Sequence, residues 1–388
     1  MKPNWPTKKL GEVAKVESGG TPKRSESKYF GGIIPFVKIN DMLCDPLIKT
    51  EETITKEGLQ NSAAKLWRKG TLLFSIFATL GRVSELAIDA AANQAIAGIF
   101  DIDSKLVNKN YLKYYLYKIG PILALRGRGV AQNNINLSIL KNIEIPLPTL
   151  PIQHRIVERL DAIRKAQELN DKQIALTDEL FQSVLHQELK PKRGWGVRRL
   201  GEVCEKIQQV HPKKIFKKEF RYIDIESVNP KANTIIEIKR IEVDKAPSRA
   251  RKFVKEGDVL FATTRPYLKN IAYIENELDN SICSTGFCVI RSKRNLAESK
   301  FLFFLSLFKP FLSKVLIYQR GTSYPAVSDS NIYNLKIPLP PLVTQRQIVK
   351  KLQAVQDYKK KLLEQKQKLK ELFLSCLDKA MKEELVNG

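Results

Sequence analysis

Beginning at Ile145 the chain reads IPLPTLPIQHRIVERL, and beginning at Ile337 it reads IPLPPLVTQRQIVKKL, with nine of sixteen positions identical at a constant offset of 192 residues. Nothing else in the 388 residues limits the fold so tightly, because a segment repeated half a chain away implies a duplicated structural unit. The repeat extends beyond this segment. WPTKKLGEV from Trp5 returns as WGVRRLGEV from Trp195, and RKGTLLFS (Arg68 to Ser75) returns as KEGDVLFA (Lys255 to Ala262). RGRGVAQNNIN (Arg126 to Asn136) holds the place taken later by RGTSYPAVSDSN (Arg320 to Asn331). Between these landmarks the halves diverge strongly. A shared frame with divergent contents points to one architecture carrying two specificities.

Each IPLP run leads into a stripe of positions spaced alternately four and three apart. The first passes through Ile156, Leu160, Ile163, Gln167, Asn170, Ile174, Thr177, Phe181 and Val184. The second passes through Ile348, Leu352, Val355, Lys359, Leu362, Lys366, Leu369, Phe373, Cys376 and Ala380. This is a heptad seam whose polar members can fix register at a cost in stability. It predicts two helices of about 35–40 residues, on the order of 55–60 Å long, each starting just after the prolines. Such helices are poorly stable alone, so the two are expected to pack on each other. Elsewhere GIIPFVKIN, TLLFSIF, FRYIDIESV, DVLFAT and FCVIRS are strand-like runs bounded by turn residues. KNYLKYYLYKIGPIL and SKFLFFLSLFKPFLSKVL are predicted helices, each broken by its proline. The fold class that follows is mixed α/β (α+β). Globular domains are expected over 1–148 and 195–340, and long helical segments over 149–194 and 341–388.

Charge bears on partners rather than fold. Lys and Arg number 66 against 41 acids, a net charge of +25. Nucleic acid is the leading partner class, since neutralising phosphates supplies most non-specific affinity. A membrane partner would call for a basic amphipathic helix with aromatic anchors, whereas the basic helices here carry core-type apolar stripes without tryptophan. No apolar run approaches the roughly 20 residues of a membrane span, and the N-terminal segment lacks an apolar signal core. An intracellular, cytoplasmic protein is expected. Cys44, Cys204, Cys283, Cys288 and Cys376 form no CxxC pair and there are only three histidines, which argues against zinc sites and disulfides and for free thiols.

Few stretches invite a catalytic reading. RGRGVA lacks the third glycine of a dinucleotide loop, and GxxxxGK[ST] is missing. No Asn/Asp-Pro-Pro-aromatic tetrad of a methyltransferase is found. Asp224, Glu237 and Lys239 have a spacing compatible with a metal-dependent nuclease, in which two carboxylates hold Mg²⁺ and the lysine steadies the nucleophile. The simpler reading is a surface strand with alternating charges. Aligning PFVKINDM with RYIDIESV sets Lys38 opposite Asp224, so the other half lacks the triad. A coiled-coil scaffold for acidic proteins is a third reading.

Binding explains the loops better. Lys and Arg position phosphates, while Asn, Gln and Arg read base edges. In the first half the candidate DNA contacts are Lys23, Arg24, Lys28, Lys38, Asn40, Arg82, Arg126, Arg128, Gln132, Asn133 and Asn134. In the second half they are Lys213, Lys214, Lys217, Arg221, Arg249, Arg251, Arg265, Tyr267, Lys269, Arg320, Ser323 and Tyr324.

The doubled IPLP-x-L-x-x-Q-x-x-I-V-x-x-L segments and the doubled W-x4-LGEV openings resemble those of the specificity subunit of type I restriction-modification systems. SGGTPKRSESKYFGGIIPFVKINDM resembles the start of a target recognition domain, and GDVLFATTRPYLKNIA through STGF a variant of one. The resemblance covers essentially the whole chain. It implies that each recognition domain reads one half of a split, asymmetric site in double-stranded DNA. It implies that the long helices form an antiparallel coiled coil acting as a spacer, and that two methyltransferase (modification) subunits dock on the chain and restriction subunits join them. It also implies that the chain has no active site and no cofactor of its own, with S-adenosylmethionine, ATP and Mg²⁺ belonging to partner subunits. One departure is that the first domain starts almost at Met1, with no helical segment before it.

Overall fold

In the computed structural model residues 5–127, 135–321 and 325–382 are described. The chain divides into two compact units, one made of 1–171 with 365–388 and the other of 172–364.

The first unit runs β1 (Thr7–Lys9), α1 (Leu10–Val13), β2 (Lys15–Ser18), β3 (Phe30–Val37), β4 (Glu52–Ile54), α2 (Lys56–Gln60), β5 (Leu66–Trp67) and β6 (Leu72–Ser75). It continues with β7 (Val83–Glu85), β8 (Ala90–Ala92), β9 (Ile96–Phe100), α3 (Lys109–Gly127), α4 (Leu137–Lys141), β10 (Glu144–Pro146) and the start of α5 (Leu150–Leu189). Its sheets have the orders β4-β3-β8-β5, β2-β9-β6-β7 and β1-β10.

The second unit begins with the end of α5 and continues with β11 (Gly196–Arg199), α6 (Pro212–Ile215), β12 (Glu219–Ile223), β13 (Val228–Asn229), β14 (Thr234–Ile235) and β15 (Lys239–Glu242). Next come β16 (Ala250–Val254), β17 (Val259–Ala262), β18 (Ile271–Tyr273), β19 (Ser281–Ser284), β20 (Phe287–Ile290), α7 (Ser299–Leu307) and α8 (Lys309–Leu316). Last are α9 (Asp329–Tyr333), β21 (Lys336–Leu339) and α10 (Leu342–Ala380), whose end returns to the first unit. Its sheets are β15-β12-β19-β16, β18-β17-β20, β13-β14 and β11-β21.

The β4-β3-β8-β5 sheet of the first unit and the β15-β12-β19-β16 sheet of the second match strand for strand, and so does the one parallel pair in each. Phe36 and Val37 face Ala91 and Ala92, as Tyr222 and Ile223 face Ile282 and Cys283. The repeated sequence landmarks turn out to be the frame. The LGEV opening buries Leu10 and Val13 in one unit and Leu200 and Val203 in the other. The strand before each opening pairs antiparallel with an IPLP strand, Lys8 facing Ile145 and Arg198 facing Ile337. The repeated glutamine ties the frame to the long helix. Gln153 donates to the carbonyls of Leu106 (2.9 Å) and Pro148 (2.8 Å) and accepts from the Asn108 amide (2.7 Å). Gln345 does the same with Leu296 (3.2 Å), Pro340 (2.8 Å) and Glu298 (2.8 Å). Both side chains are fully buried, where an unpaired amide would be costly.

The long helices have 40 and 39 residues. Within the first unit the start of α5 packs beside the end of α10, and within the second the end of α5 packs beside the start of α10, so the two run antiparallel. The two lysines of the seam are answered by the opposite helix. Lys366 pairs with Asp171 at 2.8 Å in one unit, and Lys359 pairs with Asp178 in the other. The first helix begins at Leu150, one residue ahead of Pro151, because a proline in the first turn costs no hydrogen bond.

The expected proline breaks are found in one half only. In the second half the break falls at Phe308, where extended backbone (φ −71°, ψ 124°) separates α7 from α8. In the first half α3 continues through Pro121. Gly120 ahead of it has no Cβ to crowd the proline ring. It also packs against Gly81, where a Cβ would lie 2.2 Å from the Gly81 carbonyl oxygen.

Candidate nucleic-acid interface

Several of the basic residues singled out above have partners within the chain. Arg24 grips the Glu52 carboxylate with both guanidinium nitrogens and lies 4.5 Å from the Phe30 ring centroid. The Arg24 hydrogen bonds hold the Glu52 carboxyl below the usual carboxylate range, against burial. Lys28 pairs with Glu57 (2.6 Å), Lys38 with Glu51 (3.1 Å) and Lys213 with Asp244 (2.8 Å). Arg221 donates to the carbonyls of Glu277 and Asp279, Arg251 to that of Ala250 and Arg82 to that of Ile39. These contacts tie the side chains to the chain's own loops. Lys23, Asn40, Lys214, Lys217, Arg249, Arg265, Tyr267, Lys269 and Arg320 are exposed. Arg128, Gln132, Asn133, Asn134, Ser323 and Tyr324 lie outside the described residues. Arg126 lies in the last turn of α3, and its side chain is likewise outside them.

In the second unit two candidate groups come together. The turn 264–269 runs beside Pro325 and Ala326, with the Arg265 amide donating to the Pro325 carbonyl at 2.7 Å and Ala326 bridging both Thr264 and Arg320. The Val327 amide donates to the Thr263 carbonyl at 2.9 Å. The first unit makes the equivalent bond, from the Ile135 amide to the Ile76 carbonyl, also at 2.9 Å. Sequence reasoning picked out Arg265, Tyr267 and Lys269 but passed over the matching turn at Phe77 to Gly81. The available signal was the RKGTLLFS and KEGDVLFA repeat, which ends one residue before both turns.

Of the nuclease-like triad, Asp224 and Lys239 meet as an ion pair. Asp224 caps the turn that follows it, accepting from the Ser227 amide and hydroxyl at 3.0 Å each, and its second oxygen takes Lys239 at 2.6 Å. Burial pushes the Asp224 carboxyl up, but Lys239 and Ser227 outweigh it and leave the group below its ordinary value. Glu237 is exposed. No three His, Cys, Asp or Glu side chains among the described residues form a metal-holding group. All five cysteines are free, and burial pushes the Cys204 thiol up to about 12. No helix among the described residues is long and apolar enough to cross a membrane.

Two duplicated units, each presenting basic turns on one sheet order, match a known family. Residues 2–177 and 192–372 each fit the type I restriction modification DNA specificity domain. The chain belongs to that family. This specificity subunit is 24% identical over 367 residues to the type I restriction enzyme MjaIX specificity subunit of Methanocaldococcus jannaschii, covering 87% of this chain and 83% of the relative. Its fold resembles that of the type I restriction-modification S subunit from M. genitalium, with a TM-score of 0.55, 15% identity and coverage of 98% and 99%. It is also similar to the HsdS subunit from Thermoanaerobacter tengcongensis, with 47% identity over 45% of each chain and a TM-score of 0.41. As in the family, the specificity subunit is a mixed α/β tandem, with long helices suited to a coiled-coil linker.

Proposed function

We propose that each unit reads one half of a bipartite, asymmetric site in double-stranded DNA. The recognition domains are 1–148 and 195–340, and the helical segments 149–194 and 341–388 set the distance between half-sites. The same helices are the docking surface for two methyltransferase subunits, through which restriction subunits join in the cytoplasm. Methyl transfer and cleavage, with their S-adenosylmethionine, ATP and Mg²⁺, belong to those partners, and this chain contributes recognition. The observation that carries this reading is the identity of the two frames beside the difference in their loops. Four-stranded order, parallel pair and buried glutamine coincide, whereas the exposed turns share almost no residues. One frame with two sets of contents suits two unlike half-sites. A net charge of +25 supplies the sequence-independent attraction.

The test is methylation mapping of the host genome with and without this gene. One split motif should disappear on deletion and return on complementation. Persistence of every methylated motif in the deletion strain would overturn the proposal.

A further inference from the structure

Six residues other than glycine have positive φ among the described residues: Ala78, Asp101, Asn233, Arg265, Lys269 and Asn280. Asp and Asn tolerate that region because their short polar side chains bond locally. The remaining three all fall in the turn that follows β6 in one unit and β17 in the other. Ala78 (φ 56°) and Arg265 (φ 49°) lie at the same place in the repeat, 187 residues apart, and Lys269 (φ 57°) closes the second turn. Left-handed backbone at such residues costs on the order of 1 kcal/mol each and persists only where the surroundings impose it. Here they do. The Ile76 and Thr263 carbonyls are held by the next segment, as described above. Pro266 is buried, the Ala262 amide bonds to the Asn270 carbonyl at 3.0 Å, and the Asn233 amide group reaches the Ile271 carbonyl at 3.3 Å. Both turns are therefore fixed in shape, although their sequences, FATLGR and TTRPYLKN, differ.

What they hold out is apolar. Phe77 is 40% exposed in the first turn, and Tyr267 and Leu268 are 48% and 45% exposed in the second. Arg265 and Lys269 flank the second pair. A solvated loop gains nothing from a rigid apolar tip, but a DNA reader does. The thymine methyl is the apolar group displayed in the major groove, and apolar side chains distinguish it. Flanking cations suit the phosphates on either side.

We infer that these two turns determine specificity, with Leu268 in one unit and Phe77 in the other each reading the methyl of a thymine in its own half-site. This rests on the DNA-reading function proposed above. The test is methylation mapping in the host, with the full chain and its own modification subunits, for the wild type, the gene deletion, Leu268→Ala, Leu268→Met and Phe77→Ala. Leu268→Ala should relax one A·T position in one half of the motif, raising methylation at mismatched relative to matched sites at least ~5-fold. The other half should stay unchanged. Leu268→Met keeps an apolar tip and should keep the preference, and Phe77→Ala should relax an A·T position in the opposite half. Unchanged motifs would overturn the inference. So would relaxation at a G·C pair, one substitution altering both halves, or loss of all methylation from a chain present at normal levels. A motif that survives gene deletion would instead overturn the proposed function, so the two failures are distinguishable.

Discussion

Beside the long helices each unit has a hollow at the same place in the repeat, and the two are filled differently. The wall is shared to the level of single rings. Tyr114 meets Phe373 at 6.0 Å and 58°, and their repeat counterparts Phe304 and Phe181 meet at 6.1 Å and 57°. Next to that wall the first unit carries Lys113 and Arg164, and Asp45 bridges them at 3.1 and 2.9 Å. The hollow left there is about 180 Å³. The equivalent positions of the second unit are Phe303 and Gln356, and a groove of about 900 Å³ stays open between Ile235, Ile238, Tyr273 and the helices. One frame thus accepts a charged plug or an open groove. It can do so because strand order, buried glutamine and aromatic wall hold it, none of which depends on the loops.

The sharpest way to break this comparison is to attack the part claimed to be common. Gln153→Ala and Gln345→Ala each strand two carbonyls and one amide in the interior. Each should lower stability by about 3 kcal/mol, since buried polar groups left unmatched cost ~1–3 kcal/mol apiece. The two losses should agree to within about 1 kcal/mol. Urea denaturation of both variants, with hydrogen exchange to locate the weakened unit, measures this. Loss in one unit alone would show that the frames are not equivalent.

Next in size is the part claimed to differ. Asp45→Ala leaves Lys113, only 12% exposed, and Arg164 without their shared carboxylate. A cost of about 2 kcal/mol is expected, less than for a fully buried pair because Arg164 reaches solvent. Gln356→Ala, at the place equivalent to Arg164, should change stability by less than about 0.5 kcal/mol. Equal effects at the two places would remove the contrast.

Most of the frame was legible in the sequence because it consists of repeated residues with strong preferences. The IPLP strands, the LGEV turns and the 4-3 seam of the helices are all patterns of burial, and burial leaves a period. The β1–β10 and β11–β21 pairings were not legible, since their exposed strands carry no alternation. The continuity of α3 was missed because it depends on what Gly120 lacks rather than on Pro121. The site was harder to see. Arg24, Lys28, Lys213 and Arg221 look in sequence like any other loop cations. Their partners, Glu52, Glu57, Asp244 and the 277–279 carbonyls, are distant in the chain or sit on another strand. The left-handed turns left no composition signal, because Ala78, Arg265 and Lys269 are not residues that announce positive φ.

Comparing an ion-paired surface cation with other exposed ones yields a smaller effect. In the complete complex on duplex DNA, Lys214→Gln with Lys217→Gln should make the slope of log affinity against log salt shallower by about 2, one for each phosphate no longer neutralised. Lys213→Gln should change it by less than about 1, since Asp244 already neutralises that lysine. Equal slopes for the two variants would mean that internal pairing does not decide which cations meet DNA.

The smallest effect tests a reversal of charge within the repeat. Lys38 and Asp224 are equivalent positions, and each ends a strand in an ion pair, Lys38 with Glu51 and Asp224 with Lys239. The polarity is inverted while the geometry is kept. In the folded chain the Asp224 carboxyl lies below its ordinary value, burial being outweighed by Lys239 and Ser227. A depressed carboxyl contributes stability that is fully present above the unfolded value of about 3.9, and that contribution is lost as pH falls through the lower folded value. Asp224→Asn should therefore destabilise the second unit at pH 7 by no more than about 1 kcal/mol, because the pair is partly exposed to solvent. The difference from wild type should shrink below pH ~4, as the wild-type carboxylate takes up its proton. Denaturation midpoints of both proteins between pH 3 and 7 test this. A constant difference across that range would show that Asp224 acts through its cap on Ser227 alone, which the asparagine retains in part, and that its charge contributes nothing.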